Sequence, residues 1–389
     1  MTQHLGSRTM PDFFGNRYGS RALKIAASVI VFVFLVPYTA SIYNGLSRLF
    51  EMAFHIPYTV CVAGMAVFTG IYVILGGYMA TAINDFIQGI IMLFGICAVI
   101  GAVLIDNGGL IEATKSLASV TGDAGWKGAY TAFLGPDPLA LLFVVILTSL
   151  GTWGLPQMVH KFYTIKDNKS IKQAAVISTL FALLIGGSAY FIGAFARLFL
   201  GNQVPAEGFD AVMPLMLNKA LPAVMMGVLL VLILSASMST LSSVVMTSSS
   251  SIAIDLVKGK YAPDMSEKDT VGLMRILCVV FVGLSFAIAA FKPKEIITLM
   301  SFSWGTLAGT FLGPYLWGLY SKKITRIGAW SGMVLGFLTS IVPAVVSGFN
   351  AQYAPTFGMV AMIVSIIITP LVSRYTPKYK DDFIKGIFD

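Results

Sequence analysis

From residue 22 onward the chain alternates between long apolar blocks and short polar joins. The blocks run approximately 22–47, 58–81, 84–105, 138–160, 171–200, 221–256, 270–291, 295–320, 326–348 and 355–374. A helix needs about 20 apolar residues to cross the hydrocarbon core of a bilayer. Spanning segments must also satisfy their own backbone hydrogen bonds. The pattern therefore predicts an all-α polytopic membrane protein with about ten transmembrane helices. The sixth block is too long for one crossing and is expected to extend out of the bilayer. The join 106–137, with "DNGG" and "GPDP", reads as a surface loop with room for a short amphipathic helix, and 201–220 reads the same way. The polar, basic stretch 1–21 lacks the apolar core of a signal peptide and reads as a loop. No fixed-period repeat or low-complexity linker divides the chain, so 1–389 is taken as one domain.

Composition supports the membrane reading. The chain is 57% hydrophobic and 11% charged, against about 25% charged in soluble domains. The formal net charge of +8 fits basic loops at one membrane face better than a nucleic-acid partner. Lys161, Lys166, Lys169, Lys172, Lys258, Lys260, Lys268, Lys322, Lys323 and Arg326 fall in one set of joins. The two ends add Arg8, Arg17, Arg21, Lys24, Arg374, Lys378, Lys380 and Lys385. The opposite set holds only Arg48, Lys115, Lys127, Arg197, Lys219, Lys292 and Lys294. The richer set is assigned to the cytoplasm, with both termini inside. Cys61, Cys97 and Cys278 sit in apolar runs and read as small packing residues. Gly305, Gly309 and Gly313, and Gly328, Gly332 and Gly336, form small-residue stripes that let helices approach closely in lipid.

Three places carry candidate chemistry. The first is "SASMSTLSSVVMTSSSS", residues 235–251, inside the sixth block. On a helix Ala236, Ser239, Thr240 and Ser243 share one stripe, with Ser242 beside it. Such oxygens suit a hard cation such as sodium. Equally, Ser and Thr pack well between membrane helices and bond back to their own carbonyls. Ser248 to Ser251 are expected at the membrane edge, where water solvates them. The second place is Asp85 in "GGYMATAINDFIQG", where the second block turns into the third. An acid costs ~2.5–3.5 kcal/mol at a helix centre and less near an end. Asp85 reads either as the N-cap of the third span or as a cation ligand, with Gly76 and Gly77 allowing a break just before it. The third is "GTWGLPQ", residues 151–157. Gly154 and Pro156 read either as a plain kink or as a broken helix of the kind that binds solute and ions at mid-membrane. Trp153 could supply an aromatic face and Gln157 an amide.

Signals for an enzyme are thin. His4, His55 and His160 lie in or beside loops, and no HExxH, GxSxG or Walker loop is present. A nucleophile in the serine run would lack a positioned base.

Taken together these segments resemble the sodium:solute symporter family. The family's GG-x-x-A, short gap and D-x-x-Q is matched by Gly76, Gly77, Ala80, Asp85 and Gln88. Its broken segment with a polar residue and then basic residues is matched by Gly154, Pro156, Gln157 and Lys161. Its A-x-M-S-T-L-S is matched by Ala236, Met238, Ser239, Thr240, Leu241 and Ser242. "MPDFFGNRYGSR" resembles the family's LPDYF loop. The resemblance implies a LeuT-type inverted-repeat core and a sodium-coupled secondary symporter, multi-pass in the cell membrane, that imports a small organic solute. It implies sodium as the coupling ion, with a principal site at Ala236, Ser239 and Thr240. It also implies a second site in some members, here Asp85, Ser242 and Ser243, with Ser239 shared. Tyr38, Trp153, Pro156 and Gln157 are the candidate solute contacts. An amino acid, a monocarboxylate and a pantothenate-like molecule all remain open. Proline carriers of the family place a Trp and a Tyr where this chain has Thr148 and Thr152, whereas "GLPQ…KD-x-K" is similar to pantothenate carriers. The partners implied are solute, sodium and lipid, with no nucleic acid. Relative to the family the chain is N-terminally truncated by about three spans, the first unwound core helix among them. It is therefore expected to insert but to transport poorly on its own. A transporter-like sensor and a non-functional symporter fragment are the alternatives.

Overall fold

The structure is a computed structural model that describes residues 5–121, 125–165, 167–201, 203–205, 208–220, 223–292 and 296–388. His4, Lys166, Lys294 and the Ala80 side chain lie outside the described residues. The helices are α1 (Met10–Tyr18), α2 (Arg21–Phe54), α3 (Tyr58–Asp106), α4 (Leu110–Ser119), α5 (Pro138–Ser149), α6 (Pro156–His160) and α7 (Asn168–Leu200). They continue with α8 (Val212–Ala220), α9 (Ala223–Ser250), α10 (Glu267–Ala290), α11 (Ile296–Tyr320), α12 (Arg326–Val346), α13 (Ala354–Arg374) and α14 (Asp381–Phe388). Among the described residues no strand occurs. Among the described residues nine helical stretches are long and apolar enough to cross a membrane, and the bent pair Pro138–Gly154 and Pro156–Tyr163 makes up to ten. The expected short helices in the long joins are present as α4 and α8.

Two expectations need correction. The second and third blocks are not separated by a turn. Helical backbone runs unbroken through α3, 49 residues in all, or about 70 Å at 1.5 Å per residue. Its two apolar parts, Tyr58–Gly76 and Ala82–Asp106, are each long enough for a crossing. Gly76 and Gly77 do not break it, because a glycine lowers helix propensity by only about 1 kcal/mol.

The N-terminal stretch is also not a plain loop. Residues Met10–Tyr18 form α1, capped by the Thr9 side chain on Asp12 N and ended by Gly19 at φ 55°. Phe13, Phe14 and Tyr18 are fully buried. They pack on Phe311 and Tyr315 of α11, with Phe13 and Tyr315 centroids 5.0 Å apart. Arg17 is buried too, and donates to the Gly318 and Ser321 carbonyls at 2.9 and 2.8 Å. These are the orphan acceptors at the end of α11 that a basic side chain commonly serves. Sequence reading counted the basic residues here as loop charge, whereas burial of the aromatics turns the segment into part of the bundle.

Helices α11, α12 and α13 form the tightest layer. A methyl group on Gly305 would come within 2.7 Å of Gly358 Cα, and one on Gly309 within 2.6 Å of the Ala361 methyl. The stripe on α12 packs against the same helix, with Gly328 and Gly332 facing Ser373 and Thr369. Close backbone approach replaces the hydrophobic drive that lipid does not provide.

One end of the bundle gathers α1, the start of α2, the end of α9 and the turn between α11 and α12. Arg326 donates to the Tyr18 and Gly19 carbonyls at 3.2 and 2.6 Å, and Tyr379 OH donates to Tyr18 O at 2.8 Å. These segments carry most of the basic set that sequence reading assigned to the cytoplasm.

Candidate functional site

The hydroxyl-rich stretch is helical, and its hydroxyls explain how. Thr240 Oγ1 donates to Ala236 O at 3.0 Å and Ser242 Oγ to Ser239 O at 2.9 Å. Ser250 and Ser251 both donate to Thr247 O, at 3.1 and 2.8 Å. Back-bonding of this kind lets Ser and Thr sit inside a membrane helix. It uses each donor and leaves the oxygen lone pairs available. Ala236, Ser239, Thr240 and Ser243 are half-buried, whereas Ser242 is buried. From Ser251 to Tyr261 the helix widens to π geometry, a feature frequent at functional sites.

Ser248 to Ser251 are not solvated at a membrane edge. All four are at most 3% exposed, because the end of α9 and the π turn that follows pack against α2 and α10. Further along, Asp255 is 1% exposed, paired with Lys24 at 3.2 Å. Asp255 is not among the sequence candidates, although Ile254 and Leu256 flank it with apolar side chains.

Asp85 is not an N-cap. It lies in the interior of α3, where every preceding turn is already helical. Its Oδ2 accepts from Lys161 Nζ at 2.9 Å. Its Oδ1 is buried and, among the described residues, has no hydrogen-bond partner. In a helix interior the acid has no free backbone N–H to cap, so its side chain is turned to other elements.

The segment 151–157 is more than a kinked helix. Gly151–Gly154 is a short 3₁₀ turn, Leu155 is extended at φ −92° and ψ 117°, and Pro156 opens α6. The residue before a proline is disfavoured in the α region, and here it leaves it. The two flanking pieces meet at 47°. A methyl on Gly154 would lie 2.9 Å from Ala308 Cα, so the break is seated directly against the backbone of α11.

A cavity of ≈ 160 Å³ joins the three places. It is lined by Asp85 and Ala82 from α3, by Gln157, His160 and Lys161 from the broken span, and by Ser242, Ser243, Met246 and Thr247 from α9. Gln157 is 3% exposed and neither its amide nitrogen nor its oxygen has a partner among the described residues. The structure thus brings Asp85, Ser242 and Ser243 to one cavity, with Gln157 beside them. Pro156 is buried just before Gln157. Ala236, Ser239 and Thr240 lie one to two turns along α9, outside the cavity lining. Tyr38 and Trp153 are not brought to it. The Tyr38 ring packs edge-on against Trp304, centroids 5.5 Å apart, and Trp153 is 49% exposed.

Three lining residues were missed as functional candidates. Thr247 extends the α9 stripe one turn beyond Ser243, at i+4. His160 was read as a loop residue, and instead its Nδ1 lies 3.1 Å from Thr247 Oγ1. Lys161 enters the sequence reading as cytoplasmic loop charge and as the basic residue of the family's broken segment, without a role at a site. Its i+4 spacing from Gln157 was the available signal.

The family model described as "Sodium:solute symporter family" matches residues 2–336. A sodium/proline symporter of Haemophilus influenzae is 30% identical over 94% of this chain and 74% of its own length. Sodium/proline symporters of Staphylococcus saprophyticus and Staphylococcus aureus are each 31% identical over 95% of this chain and 73% of theirs. Among solved structures, a Na⁺-coupled sialic acid symporter in a substrate-bound outward-open state superposes with a TM-score of 0.71 at 15% identity, covering 96% of this chain and 78% of that one. Its likeness concerns the fold. With the matching model spanning most of the chain and such relatives aligned along nearly all of it, this multi-pass membrane protein belongs to the sodium:solute symporter family, transporters that couple a solute to sodium rather than enzymes.

Proposed function

We propose that the protein imports a small carboxylate-bearing solute, an amino acid in the first place, and that Asp85, Ser242 and Ser243 hold a coupling sodium. The cavity carries this reading. It gathers an acid with one unpartnered buried oxygen, two serine hydroxyls and an unpartnered amide from three separate elements. Sodium is the substrate ion here, and oxygen ligands of this kind suit it. Ala236, Ser239 and Thr240 are the proposed principal site, on the same helix face, with the Thr240 hydroxyl oxygen keeping its lone pairs for a cation while its proton is spent on Ala236 O. Gln157 is the proposed solute or ion contact nearest to them. Tyr38 and Trp153 remain proposed solute contacts. The names of the relatives support an amino acid, whereas Thr148 and Thr152 stand where proline carriers place aromatic residues. The chain acts as one transporter domain in the cell membrane. The end that gathers α1, α14 and the basic turns faces the cytoplasm, by the excess of Lys and Arg there.

Tracer uptake into proteoliposomes tests this. Labelled proline, other amino acids and pantothenate are offered with an inward sodium gradient or with choline. A sodium ion crossing 100 mV is worth ~2.3 kcal/mol, and a tenfold gradient adds ~1.4 kcal/mol. Accumulation of at least one solute only in sodium is expected, and a robust rate would also overturn the expectation from sequence that the chain transports poorly on its own. Equal uptake in choline would overturn the reading.

A further inference from the structure

Inside the cavity Asp85 already faces a cation that belongs to the chain. Lys161 Nζ lies 2.9 Å from Asp85 Oδ2, and the Lys161 side chain is 49% exposed while that of Asp85 is 16% exposed. The contact uses one carboxylate oxygen. The other, Oδ1, is buried without a partner among the described residues, and so are both polar atoms of Gln157. Gln157 and Lys161 lie one turn apart on one face of the segment that follows the Pro156 break. Buried polar groups are normally paired. A half-matched acid and an unmatched amide around ≈ 160 Å³ of space therefore describe a site shaped for a polar occupant that Lys161 does not fully replace.

We propose that Lys161 is a tethered stand-in for the coupling cation: its ammonium holds Asp85 while the cavity is empty, and an entering sodium ion displaces it. The proposal rests on the sodium site assigned above. Charge balance is its first support. Asp85 and Lys161 together are neutral. Sodium added with the ammonium still in place would set two cations on one carboxylate in a largely buried site, and like charges at that range disfavour one another strongly. Exchange keeps the site neutral throughout. The side chain is suited to it. Lysine is a compact charge on a flexible four-carbon stem, and its half-exposed position offers water for the released ammonium. The exchange also has a mechanical consequence. Lys161 follows Pro156 and Gln157 in the short piece bent at 47° from α5, so freeing its ammonium unties that piece from α3. The stand-in lowers sodium affinity by competing for Asp85. It thereby lets the ion leave where sodium is scarce, with the acid never stranded without a partner.

Two measurements on the purified full chain test the proposal. The first leaves the sequence unchanged. The rate at which a water-soluble acetylating reagent modifies the Lys161 amine is read by peptide mass spectrometry in sodium and in choline. Modification several-fold faster in sodium is expected, with Lys323 as the internal control. Equal or slower modification in sodium would overturn the proposal. The second is equilibrium binding of radioactive sodium. Lys161→Met is expected to lower the half-saturating sodium concentration about tenfold or more, the scale of removing one charge at this range. Lys161→Arg is expected to stay within a few-fold of the wild type. Unchanged or weaker binding in a monodisperse Lys161→Met protein would overturn the proposal. Ser243→Ala separates the two levels of the argument. If it weakens sodium binding while Lys161→Met tightens nothing, only the stand-in fails. If it leaves binding untouched, the site assignment fails and the stand-in with it.

Discussion

The hydroxyl of Thr9 donates to the carboxylate of Asp255, 246 positions further along the chain, at 2.5 Å. Lys24 completes the cluster, 3.2 Å from Asp255 and 2.5 Å from Asp12. The start of α1 and the start of α2 are thereby fastened to the far end of the helix that carries the serine stripe. Asp255 is fully buried, so its charge depends on Lys24. Removing one partner of a buried pair typically costs 3–5 kcal/mol, because the other is left uncompensated. Lys24→Met should lower the thermal midpoint in detergent sharply. The double variant Lys24→Met with Asp255→Asn should recover part of the loss, since the fully buried charge is then gone and only the partly exposed Asp12 has lost its cation. Strictly additive losses, read by fluorescence-detected size exclusion after heating, would show that the pair is not coupled.

Asp85 calls for a different comparison. Asn keeps its shape and removes its charge. Asp85→Asn should express near the wild-type level, since the residue caps no helix. It should raise the half-saturating sodium concentration about tenfold or more, because a charged ligand contributes ~1.5–3 kcal/mol. Adding Ser242→Ala or Ser243→Ala should change little further, as all three empty one site. Sodium binding and the sodium-to-solute ratio in proteoliposomes measure both. An unchanged ratio with unchanged affinity would remove Asp85 from ion coupling.

Thr240→Ala and Ser239→Ala test the stripe outside the cavity. Thr240 Oγ1 already has its donor satisfied by Ala236 O, so its loss leaves no orphaned donor and stability should change by less than ~1 kcal/mol. The effect should appear instead in sodium dependence of uptake, roughly three- to tenfold for each oxygen removed. Leu241→Ala serves as the packing control. It is fully buried, and should reduce stability by about 2–5 kcal/mol without moving sodium dependence. The reverse outcome, with sodium dependence following Leu241, would mean the stripe is misplaced.

Gly309→Leu should abolish folded protein, because even a methyl there would lie 2.6 Å from Ala361. Gly64→Leu is the matched control, with nothing within 4 Å of an added Cβ. Membrane-inserted, monodisperse yield distinguishes them, and equal yields would contradict the packing of α11 on α13.

The membrane class, the apolar spans and the broken segment at 151–157 were legible in the residue pattern. Lipid imposes them locally: a span must be about 20 residues of apolar helix, and a proline displaces its predecessor from helical geometry. The glycine stripes were legible for the same reason, since a repeat of four residues is a property of one helix. Pairing between elements was not local. Whether α3 turns or runs on at Asp85 depends on backbone hydrogen bonds that glycine weakens without abolishing. The burial of Ser248 to Ser251 and Asp255 follows from α2 and α10 packing on this end of α9, with α1 beside them, and the basic letters of the N-terminal segment concealed its buried aromatics. Lys161 shows the division most clearly. A lysine in a basic join is solvated by default, and its spacing from Gln157 says only which way it points. That it meets Asp85, 76 positions earlier, was decided by the packing of α3 and α9 around the broken span, where a buried carboxylate takes the nearest cation within reach.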